Sequence, residues 1–418
     1  MTLRILPITL LLFVSCSNST IRERGCDRSL SLPPGFCATI FADDLGAVRH
    51  VVVAPNGDVY AARWRNREQQ GGLIALRDSN SDGRADIVAE IANDGGSGIA
   101  LKGDFIYMST WTTVLRYRLD GQLTPHARPD SILIGLPESG HAARSIAVDS
   151  SGNLFVSIGA PTNNCQLIDR GRESMGRDPC PERDAFAAIW RFDGTRTKQR
   201  QTDGMRFVSG LRHAVAFAID PWSQGMFAVP HGRDDLHENF PALYDEARGE
   251  RLPAEALYRI SEGADYGWPY CYYDDSLSRH VLAPEYGGDG RRSDRCEQVA
   301  APLVVFPAHW APNGLLFYSG AQFPERYRNG AFVAFHGAGF RRAPNNGFNV
   351  VFVPSRDGNL SRQFEIFADG FAGRHKSPGR AKHRPVGLAE GQDGSLYITD
   401  DAGGRIWRVT YTQPQRTN

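Results

Sequence analysis

The sequence predicts an all-β fold, a six-bladed β-propeller of four-stranded antiparallel blades, on three observations. A short layout recurs six times: an apolar strand, a turn, an alternating strand, then a third strand that often sets an Arg among apolar residues. The 44 Gly and 25 Pro in 418 residues suit a turn-rich β chain better than a helical one. One small sheet of this kind cannot bury both faces alone, so the copies must stack around a ring.

The copies follow in chain order. Arg49-His50 precedes Val51-Val52-Val53, a turn at Pro55-Asn56-Gly57-Asp58 and the strand Val59-Tyr60-Ala61. A looser copy pairs Gly98-Ile99-Ala100 with Phe105-Ile106-Tyr107. In the third, His141 and Arg144 precede Ile146-Ala147-Val148, a Ser-Gly-Asn turn and Leu154-Phe155-Val156. Arg212-His213 opens the fourth, before Val215-Ala216-Phe217 and Gly225-Met226-Phe227-Ala228. The fifth, again loose, pairs Asn313-Gly314-Leu315 with Ala331-Phe332-Val333. Arg384-Pro385 opens the sixth, with Val386-Gly387-Leu388, a turn at Gln392-Asp393-Gly394 and Leu396-Tyr397-Ile398. Third strands are expected at Leu76-Arg77, Leu115-Arg116-Tyr117, Ile189-Trp190-Arg191, Leu257-Tyr258-Arg259, Val350-Val351-Phe352 and Ile406-Trp407-Arg408, with Trp190 and Trp407 in the core. First strands line a propeller's channel, so the His and Arg that open them are expected at one mouth: His141, Arg144, Arg212, His213, Arg49 and Arg384.

The ends and the cysteines set the compartment. Arg4, the apolar run Ile5 to Val14 and the closing Ser15-Cys16 read as an export signal, too short to span a bilayer comfortably. Phe13-Val14-Ser15-Cys16 resembles a lipoprotein cleavage box. Cys16 would then be the lipidated first residue, and Ser17 would direct the protein to the outer membrane; an ordinary signal peptide is the alternative. The expected division is residues 1–15 signal peptide, 16–31 tether, 32–412 propeller and 413–418 tail. Besides Cys16, the 7 cysteines leave an even set suited to an oxidising compartment, and proximity pairs Cys26 with Cys37, Cys165 with Cys180 and Cys271 with Cys296. No Cys-x-x-Cys occurs, which argues against attached haem and zinc. The 47 basic and 47 acidic residues give zero formal charge and argue against non-specific nucleic-acid binding.

Two stretches carry oxygen or amide ligands. Asp78, Asn80, Asp82 and Asp86 alternate before and after Gly83, like the opening of a calcium loop that lacks its closing Glu. The loop is either a structural calcium site or a polar turn. Residues 160–187 form a long insertion after the third blade, with Asn163, Asn164 and the Cys165/Cys180 pair, expected to overhang the channel. Tyr270, Tyr272, Tyr273 and Trp310 are candidates to line a substrate cleft. For Trp310, packing against a neighbouring loop is the alternative.

His141-x-x-Arg144-Ser, Gly210-Leu-Arg212, Tyr266-Gly-Trp-Pro269, Phe332-Val-Ala-Phe-His336-Gly and Arg384-Pro-Val-Gly387, in this order on six repeats, resemble the soluble quinoprotein sugar dehydrogenases. The resemblance runs from Leu32-Pro-Pro-Gly-Phe36 to Arg405-Ile-Trp-Arg-Val-Thr-Tyr411 and is nearest to the sorbosone dehydrogenase-like branch. It implies pyrroloquinoline quinone (PQQ) and Ca2+ as cofactors, a small sugar as substrate and an unspecified electron acceptor. His141 would be the base that takes the hydroxyl proton, since imidazole titrates near neutrality. Arg212 would stabilise the oxyanion at the quinone, or be salt-bridged to Asp234 or Asp235. Three carboxylates on the cofactor call for several guanidinium groups. Arg384 matches a cofactor position, and Arg341 or Arg342 stands near another. Backbone carbonyls of Gly232 and Arg233 match the calcium segment, with Arg233 where the family has Pro, so that its guanidinium is a competitor for the ion. The other readings are a non-catalytic propeller that binds carbohydrate or protein, and a calcium-dependent lactonase, which needs inward acidic groups not apparent at the strand entries.

Overall fold

The computed structural model describes residues 25–65, 70–138, 140–337 and 347–413. Six four-stranded antiparallel sheets form the blades. Blade 1 runs Val48–Val53, Val59–Arg63, Gly72–Arg77, Ile87–Ala92; blade 2, Gly96–Lys102, Phe105–Thr110, Val114–Arg118, Asp130–Leu133. Blade 3 is Ile146–Val148, Asn153–Ile158, Ala188–Asp193, Met205–Ser209, and blade 4 is Ala216–Ile219, Met226–Val229, Glu255–Ile260, Val304–Phe306. Blade 5 comprises Pro312–Phe317, Ala331–Phe335, Asn349–Val353 and Glu365–Ala368. Blade 6 takes Pro385–Glu390, Leu396–Asp400 and Arg405–Tyr411 from the end of the chain and its outer strand, Phe36–Ala42, from the beginning. That closure is the part of the architecture that the repeat pattern leaves unsaid.

Side-chain alternation builds the ring. On the second strand of blade 1, Val59 and Ala61 face blade 6 and pack with Tyr397 and Ile406. Their neighbours Tyr60 and Ala62 face blade 2 and pack with Ile106 and Met108. A period of two thus gives each blade two apolar faces. Six interblade cores result, one in each gap of the ring. Trp407 is fully buried in the blade 5–6 gap, as expected, and Trp190 packs between blades 2 and 3.

The six inner strands contact one another in a closed circle. In blades 1, 2, 5 and 6 the pairing of inner and second strands slips near the entry end. Such bulges re-aim the residues beside them. At three of these slips, in blades 2, 5 and 6, the inner strand carries a glycine because the next blade's backbone is too near for a side chain, Gly314 facing the Val386 carbonyl. A Cβ on Gly387 would stand 2.5 Å from the Arg49 carbonyl, and one on Gly98 would stand 2.3 Å from that of Arg144. In blades 2 and 6 a second-strand hydroxyl ties the slip to the same carbonyl: Ser109 Oγ donates to Arg144 O at 2.6 Å, and Thr399 Oγ1 donates to Arg49 O.

All three expected disulfides form: Cys26–Cys37, Cys165–Cys180 and Cys271–Cys296. From Cys26 onward the segment expected as a tether lies on blade 6, where the Asp27 carboxylate accepts from Trp407 Nε1 at 3.0 Å and pairs with Arg405. The insertion 160–187 joins the second and third strands of blade 3, not blade 3 to blade 4. Together with residues 230–254 and 261–303 of blade 4 it builds a superstructure with two small cores of its own. Cys16 lies outside the described residues.

Candidate active site

Antiparallel pairing decides which loops reach the channel mouth. Val48, Pro312 and Pro385, at the entries of inner strands, pair with Arg63, Phe335 and Asp400, at the exits of second strands. The mouth is therefore framed by strand entries and by the loops that follow second strands. The turns at 54–58, and the third-strand exits, lie at the other end. Arg77, the last residue of a third strand, pairs with Asp58 in that turn. The loop Asp78–Asp86 that follows is thus remote from the mouth.

A short ladder of backbone hydrogen bonds sets the imidazoles side by side. Ala160 N donates to Arg212 O at 2.7 Å, His231 N to His213 O at 2.9 Å, and His141 N to Ala160 O at 3.1 Å. His141 and His213 then lie with ring centroids 4.7 Å apart, and His213 and His231 5.1 Å apart. Gly159 leaves room for this pair, since a Cβ there would stand 2.6 Å from His213 Nδ1. His231 Nε2 reaches Pro312 O and Asn313 Oδ1, and His50 spans from Ser97 O to Asn313 O. The row thus crosses the channel from blade 3 to blade 1.

His141 has a defined tautomer. Its Nδ1 sits 2.6 Å from the Ala160 carbonyl, which can only accept, so Nδ1 carries the proton and Nε2 the lone pair. Burial, then the Arg212 guanidinium, push its pKa down to about 4. Burial does the same to His50, down to about 4, and to His231, down to about 3, while His213 falls well below the ordinary value. His141 and His231 are therefore neutral at pH 7, whereas His50 turns both ring nitrogens to carbonyls, of which a neutral imidazole can serve only one.

Arg212 is buried and held on four sides. Nε and Nη2 donate to Asn163 O and Oδ1, both at 3.1 Å, Nη1 donates to Gly232 O at 2.8 Å, and Nη2 also meets Asp234 Oδ2 at 3.1 Å. Four of its five N–H donors are used. Both sequence alternatives are compatible here, because the salt bridge to Asp234 forms while Arg212 remains beside His141. Burial alone would raise the Asp234 carboxyl, but Arg212, His309 and Arg170 outweigh it and hold it well below the usual range.

Across the channel, Arg49 pairs with Asp401 at 2.6 Å, and His336 Nε2 meets the other Asp401 oxygen at 2.7 Å. Burial opposes ionisation of Asp401, yet His336, Arg49 and Arg384 keep it below the ordinary carboxylate value. Arg384 donates to the carbonyls of His336 and Gly337 at 3.0 and 2.9 Å and has no acidic ion-pair partner among the described residues. His141, His213, Arg212, Arg49 and Arg384 thus share one mouth.

Other candidates stand elsewhere. Arg144 is 1% exposed and closed off from the channel, because its guanidinium is buried within the rim on the carbonyls of Trp111 and Pro137. Arg233 also points away, into a buried pair with Glu285, so it does not compete for a cation at the mouth; the Gly232 carbonyl is shared with Arg212. Trp310 belongs to the blade 4–5 core, edge-on to Phe335, because left-handed backbone at His309 and Ala311 turns it inward. Tyr270 is likewise in the insertion core, its hydroxyl accepting from Cys180 N at 2.9 Å. Asn164 lines a cavity of about 60 Å³ behind Arg212. Packing, not substrate contact, explains the placement of Trp310 and Tyr270.

In the loop 78–86 the carboxylates serve the backbone. Asp78 accepts from Asp82 N and Gly83 N, and Asp86 from Ser79 N at 2.7 Å. Arg341 and Arg342 lie outside the described residues. The sequence reading passed over Asp401 and Asn313 as site residues. Asp401 carried a usable signal, since it follows a second strand, as His336 does.

The chain matches the TrAA12-like family over residues 30–412. It is 27% identical to an uncharacterized protein of Borreliella burgdorferi over 65% of this chain, and spans about three fifths (61%) of that protein. It is 22% identical to a pyrroloquinoline quinone-dependent sugar dehydrogenase of Hypocrea jecorina, over 97% of this chain and 96% of that one. Among solved structures, an AA12 carbohydrate-active enzyme of Trichoderma reesei superposes with a TM-score of 0.74 at 20% identity, covering 92% of this chain and 98% of that one. The PQQ domain of a pyranose dehydrogenase from Coprinopsis cinerea gives 0.72 at 18%, covering 91% and 97%.

Proposed function

The chain belongs to the TrAA12-like family, and from that membership and the geometry of the mouth we propose that it is a sugar-oxidising quinoprotein, a PQQ-dependent sugar dehydrogenase. The relatives named above support the class of reaction. The observation that carries the assignment is His141: a neutral imidazole, its Nδ1 proton fixed on Ala160 O, beside a buried guanidinium at the channel mouth.

The residues fit a tricarboxylate cofactor. Arg49 Nε and His213 Nδ1 are buried polar atoms without a partner, Arg384 lacks an acid among the described residues, and Arg212 keeps one N–H in reserve. These four would hold PQQ, with the carbonyls of Gly232 and Arg233 offered to calcium. When bound, PQQ supplies the two-electron acceptor for the hydrogen on the sugar carbon. His141 Nε2 takes the proton from the sugar hydroxyl, and the Ala160 carbonyl steadies the resulting imidazolium through Nδ1–H. Arg212, already rigid and desolvated, stabilises negative charge that develops beside it without reorganising.

The test is PQQ uptake by the full chain with calcium, followed by dye reduction across a panel of aldoses. Failure to take up PQQ at micromolar concentration sinks this proposal and leaves the non-catalytic binding module. The lactonase alternative is weakened by Asp234 and Asp401, which are engaged by Arg212 and Arg49.

We also propose export as a lipoprotein anchored through Cys16, on the periplasmic face of the outer membrane or at the cell surface. The three disulfides support an oxidising compartment. Cys16→Ser should release the protein from the membrane fraction; unchanged membrane association would remove the anchor. Residues 32–412 are proposed as the catalytic domain.

A further inference from the structure

The mouth has a second feature that the mechanism above does not use. Trp64 and Trp111 follow the second strands of blades 1 and 2, so they stand at the mouth end of the ring. Their rings lie 5.7 Å apart at 41°, and Trp111 is 41% exposed although it is among the largest apolar side chains of the protein. Trp111 lines a cleft of about 710 Å³ together with Thr110, Thr112, Asp94, Glu138 and Arg65, the residue after Trp64.

Two contacts bind this platform to the site. The Arg49 guanidinium, which pairs with Asp401, lies over Trp64 at 5.6 Å. Arg144, three residues beyond His141, donates from Nε to Trp111 O at 2.7 Å and from Nη2 to Pro137 O. Arg144 is almost completely buried and its Nη1 has no partner. A buried guanidinium without an acid is costly, and burial pushes its pKa down to about 10. A structural role for it alone would be met more cheaply by an apolar side chain. Spanning from the His141 segment to the Trp111 loop, it fixes one relative to the other.

We propose that the Trp64–Trp111 cleft is a saccharide subsite, which takes the second ring of a reducing disaccharide or longer oligosaccharide whose first ring is oxidised at His141. An aromatic face matches the apolar C–H face of a pyranose, and carboxylates and threonine hydroxyls at the rim match its ring hydroxyls. A purely apolar partner would leave Asp94 and Glu138 without such hydrogen bonds. The proposal rests on the sugar-oxidising reading, and Arg144 is a positioning residue in it.

The test compares full-length wild type, Trp111→Ala and Trp111→Phe. Tryptophan fluorescence of the PQQ-free protein is titrated with cellobiose, maltose, glucose and galactose. Disaccharide should perturb the wild-type signal at lower concentration than monosaccharide, by about tenfold for one stacked ring. Trp111→Ala should lose that preference and Trp111→Phe should keep part of it. In the PQQ-loaded protein, the ratio of KM for monosaccharide to disaccharide should fall by the same factor in Trp111→Ala. Equal disaccharide preference in wild type and Trp111→Ala, or none in wild type, overturns the subsite even where aldoses are oxidised. Disaccharide binding that depends on Trp111 in a protein that reduces no dye keeps the subsite and removes the dehydrogenase.

Discussion

The two sides of the channel mouth are built on opposite plans. On the side of blades 3 and 4, residues 160–187, 230–254 and 261–303 form a wall with two disulfides, the buried Arg233–Glu285 pair and its own apolar cores. Arg212 is locked into that wall by Asn163, Gly232 and Asp234. On the side of blades 1 and 2 the described connections are short, and two tryptophans and a broad cleft take the place of the wall. Groups that must not move are placed where the chain is cross-linked, and the surface that receives a variable ligand is left open.

Removing chemistry from the walled side should have the largest effect. His141→Ala in the PQQ-loaded protein should lower kcat by roughly 10²–10⁴, the usual worth of a general base, measured as dye reduction. Equal activity would take His141 out of the reaction and leave the wall with a supporting role only. Breaking the wall from within comes next: Glu285→Gln strands the Arg233 charge and should cost about 3–5 kcal/mol in denaturant unfolding. A joint replacement of Arg233 and Glu285 by Met and Leu should recover most of it, since burying two ions is itself expensive. Replacing Cys165 and Cys180 by Ser should cost about 3 kcal/mol, judged from the closed loop. Hydrogen exchange should rise at residues 160–187 and not around Trp111.

Acid should weaken both sides together, through the row of histidines that joins them. His50, His141 and His231 have folded pKa values near 4, 4 and 3, below the ordinary 6.5. The unfolded chain therefore binds more protons than the native one between these limits, and stability rises with pH there. Their contribution is fully present above about pH 6.5 and is lost as pH falls towards 4, at up to about 1.4 kcal/mol per pH unit for each group. A flat melting temperature between pH 6.5 and 4 would show that the row is not buried neutral. The smallest effect is expected far from both sides: Asp78→Ala should cost about 1 kcal/mol through lost backbone hydrogen bonds, with or without calcium. A calcium-dependent loss would instead make that loop an ion site.

Blade number and the convergence of His141, Arg212 and Arg384 were legible because period-two strands and their opening residues repeat along the chain. Trp310 was not, since an aromatic beside a strand entry looks the same whether the backbone turns it out or in. Arg144 misled for a related reason. Its position in the repeat put it at the mouth, but the carbonyls of Trp111 and Pro137, contributed by other segments, drew the guanidinium aside. Asp401 was missed because its meaning depends on Arg49, 352 positions away.

The sheet shared by the two ends of the chain has a temporal consequence. Thr39 Oγ1 donates to Arg408 O across 369 positions, so the first strand, Phe36–Ala42, has no partner until Arg405–Tyr411 has been synthesised. Contacts this distant in sequence slow folding. Until then the nascent chain presents two unlatched edges, open to pairing with the wrong partner.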